Sequence, residues 1–367
     1  LETFKIIQNY FQQLPFLLQL VWIVSSFLSF LVVIFVIYLK ILRNSLRKKE
    51  VLKEEYKKKY ETLLLSFLFN EPDGDNASYQ EDEFINIINT EINVDFNRKI
   101  IIETLLKLKN EISGEIEKNI QHIYLQSNLK EFAYQQLKSK NWYEIAKGIK
   151  ELTQFKVKAA YSEIKKLMNH PKKEVQKEVQ LYLVSLFHFG GLKFLSSLES
   201  YLSEWDQIEL LEELKHLENQ EIPEITDWLI SKNDSVVMFA LKLAKMYNKY
   251  ENVDTLMQLM NHENQKIRLQ VILVLTHLQV TDVKPILKTN FKSYSEEEQI
   301  AIFKMLENIF EPSDEKFITE NIYNNNFEIQ LAALKMLKSI NKNTFSQLFT
   351  SKTAFKNTKV LNFVQKN

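Results

Sequence analysis

The stretch "LMNHPKKEVQKEVQLYLVSL" at residues 167–186 returns as "LMNHENQKIRLQVILVLTHL" at residues 259–278, with equivalent positions 92 apart. The shared Leu-Met-Asn-His suggests histidine chemistry, whereas the shared spacing suggests a repeat. The rest of the chain decides between them. Helix-opening residues stand at Asn141, Lys172, Ser203, Asp234, Asn264, Ser295 and Asn326, in steps of 31, 31, 31, 30, 31 and 31, and 92 is three such steps. Most have short polar side chains that can accept from the free N–H groups of a first helical turn. Each opens a run with apolar residues at helical spacing, with Val175, Val237, Ile267 and Ile329 three positions on. A constant period over seven units predicts helical units that bury their apolar faces on their neighbours, an α-solenoid.

The histidine reading then loses its basis. His170 and His262 occupy the same turn three units apart, so stacking would separate them by tens of ångströms, too far to share a metal. The other histidines are His122, His188, His216 and His277, and there is no cysteine. H-E-x-x-H, Cys/His ligand spacing and the G-x-S-x-G elbow are all missing. Five glycines, paired only at Gly190 and Gly191, build neither a Walker loop nor a dinucleotide fingerprint. No catalytic, cofactor-binding or metal-binding residue is expected, and the chain is read as not an enzyme. Trp142, Trp205 and Trp228 fall at different repeat phases and are expected to be packing aromatics.

The segments "LMNHPKKEVQKEVQLYLVSL", "LISKNDSVVMFALKLAKMY", "LMNHENQKIRLQVILVLTHL" and "NIYNNNFEIQLAALKML" each read as a first helix, a tight polar turn and a second helix opening with Val or Ile. In this the chain resembles the HEAT-repeat family over about residues 96–350. Of the family's recurrent Asp, Val-Arg pair and small residue, Asp234, Arg268 and Ala240, Ala332 or Ala333 stand in matching places. The resemblance implies a right-handed α-solenoid of helix pairs and a function in binding. Two helical-repeat enzyme families are the alternative. DNA-alkylation glycosylases need a basic concave face, and bilin lyases are soluble and pair with a second subunit.

Five glycines and six prolines in 367 residues agree with an all-α chain. The zero net charge is unevenly spread: residues 1–61 carry 10 basic and 5 acidic residues, leaving 37 basic and 42 acidic in 62–367. A surface neutralising phosphates would be basic, so nucleic acid is not an expected partner.

Between Ile6 and Leu39 no side chain is charged, and Phe16–Leu39 is a 24-residue apolar run interrupted by one amide, Gln19. Such a helix spans the roughly 30 Å hydrocarbon layer, and residues 16–42 are read as a transmembrane helix. Lys40, Arg43, Arg47, Lys48 and Lys49 follow it while Lys5 stands almost alone before it. The positive-inside bias therefore puts the N-terminus outside and the rest in the cytoplasm of a bacterium. The basic flank would also sit against anionic lipid. Gln19, Ser25, Ser26 and Ser29 offer a face for helix packing beside another membrane protein.

Residues 1–15 are read as an interfacial segment, or else as part of a longer tilted span. Residues 43–69 are expected to form a charged helical stalk reaching its first packing unit at Leu63–Phe69, and residues 70–95 an acidic loop and linker. In that loop Ala77, Ser78 and Phe84 stand where calcium ligation would need a ligand, a glycine and a bidentate Glu. Residues 96–350 form the solenoid, with Phe345, Leu348 and Phe349 capping its end, and residues 351–367 a tail docking on a partner or on its own surface. The expected function is a membrane-anchored cytoplasmic scaffold or accessory subunit that engages integral membrane proteins through the span and the solenoid surface. Build alone resembles partners of glycosyltransferase, polysaccharide-export or secretion complexes. The alternative is a regulatory tether for a soluble protein.

Overall fold

A computed structural model describes residues 15–69, 77–112, 114–215, 222–350 and 358–366. The interfacial segment before Pro15, the first part of the acidic loop, His216 and the start of the tail lie outside them. The described residues are helical, with no strand among them, and divide into two compact bodies, residues 1–138 with 154–157 and residues 139–153 with 158–367.

The first body is organised by α1, Phe16–Phe69, one uninterrupted helix of 54 residues, about 80 Å long at 1.5 Å per residue. Its apolar part is exposed, and Phe16, Phe30 and Phe35 are each more than half exposed. Its C-terminal part is core: Tyr60 and Leu64 have no exposure. Against it pack α2 (Ala77–Glu91), α3 (Asp95–Glu111) and α4 (Glu115–Gln126), and α5 (Leu129–Leu137) packs on α4. The expected stalk is thus shorter than its sequence suggests. Contacts begin at Lys53, which pairs with Glu103 at 2.7 Å, and at Tyr56, whose ring meets Phe96 edge-on. The expected loop and linker over 70–95 is also corrected, because α2 fills most of it. Phe84, Ile88 and Ile92 recur every four residues and are buried, and Phe84 stacks on Phe67 with ring centres 4.2 Å apart. This apolar stripe outweighs the turn-forming residues that precede it.

In the second body the long helices are α6 (Trp142–Gln154), α8 (Lys173–Phe187), α9 (Glu204–Lys215), α11 (Asp234–Met246), α13 (Gln265–His277), α15 (Glu296–Ile309) and α17 (Phe327–Ile340). Their first residues are 31, 31, 30, 31, 31 and 31 apart. Six of the seven expected starts are the residues immediately before these helices. At the fourth the cap is Asn233, not Asp234, because the Asn233 carboxamide accepts from Ser235 N. Helix α11 packs on α13, α13 on α15, and α15 on α17.

Between them run short helices: α7 (Tyr161–Lys165), α10 (Thr226–Leu229), α12 (Val253–Leu259), α14 (Lys284–Thr289) and α16 (Glu315–Asn321). The expected helix pairs are therefore unequal, the first member reduced to one or two turns. After α8 it is a 3-10 run, His188–Ser197, whose Phe189, Leu192, Phe194 and Leu195 are buried. Gly191 permits this close approach, since a Cβ there would overlap the Leu183 carbonyl of α8. At the far end α18 (Lys342–Thr350), with buried Phe345, and α19 (Thr358–Lys366) both pack on α17, so the tail helix docks on its own chain. Lys338 holds it by donating to Val364 O at 2.8 Å.

Candidate functional site

Two regions carry functional candidates: the exposed half of α1 and the ladder of turns that opens the long helices. At 3.6 residues per turn, Gln19, Ser25, Ser26 and Ser29 fall within about a third of the circumference of α1. They share a face as the packing hypothesis requires. Lys40, Arg43 and Arg47 form a stripe one residue past the apolar run, and Lys48 and Lys49 extend it round the helix. All five are exposed. From Lys40 to the first docking contact at Lys53 is 13 residues, about 20 Å of bare helix.

Below this collar the helix is fastened by a polar cluster. The buried Tyr60 hydroxyl donates to Glu91 at 2.8 Å, and Lys59 and Asn97 donate to the same carboxylate at 2.7 and 2.9 Å. The Lys59 and Tyr60 donors hold the Glu91 pKa below the usual carboxylate range. Burial and the Glu91 carboxylate push the Tyr60 hydroxyl upward, so it stays protonated as the donor. The apolar helix is thus a core element of the first body and not a flexible leash.

The turns of the second body explain the paired histidines. His170 Nδ1 accepts from Lys172 N at 3.1 Å, and His262 Nδ1 accepts from Asn264 N at 3.0 Å. Ser139 accepts from Asn141 N, Ser231 from Asn233 N, and Asn324 from Asn326 N in the same relation. Serine, histidine and asparagine share one task, tying the turn to the residue that caps the next helix. Among the described residues no three His, Asp or Glu side chains are grouped to hold a metal ion.

A second recurrent contact was missed in the sequence. Three residues into the long helices stand Gln176, Gln207, Arg268, Gln299 and Gln330, and each donates back to a carbonyl of the preceding turn. The signal was present, since these amides recur in steps of 31, 92 and 31 with Arg268 inside the wide step. Consecutive turns are also joined to each other. Asn264 donates to Asp234, Gln265 to Ser295, Arg268 to Glu298 and Asn326 to Glu296, each across 30 residues of chain.

The solvent face of α9 mixes charged side chains with large exposed apolar ones. The expectation that all three tryptophans pack holds for Trp228, which is 6% exposed and donates to Ser196 Oγ. It fails for Trp205, which is 65% exposed, and Trp142 is also exposed, at 39%. On α8, which packs on α9, burial pushes the Glu178 carboxyl upward, and Glu209 adds to the shift while Lys150 and Lys177 oppose it.

No family model matches the chain, and no curated protein matches it. Solved structures with some similarity include two engineered proteins. One is 15% identical with a TM-score of 0.30, covering 58% of this chain and 96% of its own. The other is 14% identical with a TM-score of 0.35, covering 78% of this chain and 95% of its own.

Proposed function

We propose that the chain is a non-enzymatic membrane scaffold. In this reading α1 crosses the inner membrane of a bacterium once with its N-terminal end outside. The second body is a HEAT-like α-solenoid in the cytoplasm, whose surface gathers partner proteins around an integral membrane complex. The observation that carries the reading is α1. Its most apolar 18 residues have a mean hydropathy of 2.8 and none is buried. Water is a poor solvent for that surface, and a bilayer is the solvent it matches in both length and chemistry.

The basic collar after the span supports the orientation, because Lys and Arg accumulate on the cytoplasmic side. The 30- and 31-residue recurrence, with α11, α13, α15 and α17 packed in succession, supports the solenoid. Solenoids bind through long surfaces assembled from many modest contacts. A bilayer tether raises the local concentration of membrane partners, so weak contacts become sufficient. The alkaline carbonate wash tests the anchor. The chain should remain with the membrane pellet, and release into the supernatant would overturn the span. Protease added to intact spheroplasts should then leave both bodies uncut, and their digestion would reverse the orientation.

A further inference from the structure

Helix α9 buries Gln207, Leu210, Leu211 and Leu214 and turns Trp205 and Ile208 to solvent, the latter 50% exposed. Tyr201, four residues before Trp205, is 64% exposed. Tryptophan and tyrosine are the residue types that most often dominate a protein interface, because they bury large area at little entropic cost. Around them acidic side chains outnumber basic ones. Helix α9 carries Glu204, Asp206, Glu209, Glu212 and Glu213 against Lys215 alone, so its formal charge is 1 − 5 = −4. Trp205 donates its indole N–H to Glu209 at 2.9 Å, which holds the ring among these carboxylates. Lys177 of α8 faces Asp206 and Glu209, Lys242 of α11 faces Glu204, and Lys215 pairs with Glu212, so the cations offset part of the charge and leave α9 with an acidic excess.

This combination selects its occupant. Anionic lipid and nucleic acid are repelled by the carboxylates. A Lys/Arg-bearing segment gains from them, and its cations can also lie over the faces of Trp205 and Tyr201. Cytoplasmic flanks of integral membrane proteins are rich in Lys and Arg, so a membrane partner carries this chemistry where it leaves the bilayer. We propose that Tyr201, Trp205 and Ile208, with the carboxylates of α9, form the docking surface for a basic juxtamembrane segment of a membrane partner protein. The patch stands on its own geometry, and only the owner of the segment rests on the scaffold reading.

The test uses the full chain in phosphatidylcholine nanodiscs, with empty discs as blank. The probe is a fluorescent 16-residue Lys/Ala peptide bearing one leucine, with its Glu/Ala counterpart as control. The Lys peptide should bind and the Glu peptide should not. Trp205→Ala and the double variant Glu212→Lys with Glu213→Lys should each weaken binding at least tenfold, and Lys335→Glu on α17 should leave it unchanged. All these side chains are exposed, so the melting temperatures should not move. No binding of the Lys peptide, equal binding of both peptides, or Trp205→Ala within twofold of wild type would overturn the patch. A dimer of the wild type that Trp205→Ala dissolves would assign the surface to a second copy and overturn the foreign partner.

Co-purification from native membranes separates the two ideas. An integral membrane partner kept by wild type and lost by Trp205→Ala supports both. One kept equally by both chains overturns this surface and leaves the scaffold. No such partner with wild type overturns the scaffold, while the peptide titration still judges the patch.

Discussion

Replacing Arg268 by alanine removes the most connected member of the turn ladder. Its guanidinium donates to the Glu298 carboxylate at 2.8 and 3.3 Å and to the carbonyls of His262 and Glu263 at 2.8 and 3.1 Å. Glu298 has no exposure and closes a capping box with Ser295 at the start of α15. Burial pushes its pKa upward, but the Arg268 guanidinium and the Ser295 N–H more than offset this, leaving it lowered. In Arg268→Ala the buried carboxylate keeps the Ser295 donors and loses its counter-charge. Breaking such a pair costs about 3–5 kcal/mol. The Arg268 side chain is 21% exposed, so water enters its place and the cost falls to the lower end. About 3 kcal/mol at ~2–4 °C per kcal/mol lowers the melting temperature by about 6–12 °C.

Glu298→Gln keeps an acceptor for Ser295 N and leaves a cation that water can reach, so it should cost less, about 1–2 kcal/mol. The double variant should cost less than the sum of the two, because both delete the same pair. Thermal unfolding followed by circular dichroism in detergent micelles, at pH 7 and in acid, measures all four proteins. A carboxylate with a lowered folded pKa contributes its full stability above its unfolded value of about 4.3. That contribution is lost as pH falls through the folded value, so the Arg268→Ala deficit should shrink in acid. A variant melting within 1 °C of wild type at pH 7, or a larger loss for Glu298→Gln, would refute the reasoning.

Other outcomes follow from the same contacts. His262→Asn and His170→Ser should change stability by less than about 0.5 kcal/mol, since Asn and Ser make the same turn bond elsewhere, while Gln176→Ala or Gln330→Ala should each cost about 1 kcal/mol in thermal melts. A larger loss for the histidines would restore a special role for them. Tyr60→Phe should cost about 1 kcal/mol and Tyr60→Ala about 3–5 kcal/mol, read as faster hydrogen exchange over α2 and α3. Unchanged exchange in the alanine variant would show that the anchor helix is not part of that core. For Glu178 the folded pKa is raised, so its ionisation opposes folding and stability falls as pH climbs through the interval above the ordinary carboxylate value. Glu178→Gln should therefore melt above wild type at pH 7 and together with it at pH 4, and the reverse order would contradict the burial assigned to it.

The long helices were legible because their signal is local and repeated. A fixed step, with a capping side chain at most of its positions, located six of seven starts to the residue. The fourth slipped by one because Asn233 and Asp234 both have capping side chains; Asn233 accepts from Ser235 N, while Asp234 accepts from Asn264 of the next turn. Helix α2 was missed because Gly74 and the acidic residues before it read as a loop, while the partner ring that makes Phe84 a core residue, Phe67, lies across a gap that sequence spacing does not bridge. The stalk was overextended for the same reason, since the charges of Lys53 and Lys59 look solvated until Glu103 and Glu91 are placed beside them. Trp205 shows the opposite limit. Its position on the helix is readable, but its exposure depends on what the neighbouring helices leave uncovered.

The scaffold reading stands or falls on whether an integral membrane protein accompanies this chain. Solubilisation of native membranes in mild detergent, followed by affinity purification of the full chain and quantitation of what elutes, measures that directly. The account predicts a polytopic membrane protein at a fixed stoichiometric ratio, retained through a second size-exclusion step. Elution of the chain alone, or with only a soluble protein, would contradict it.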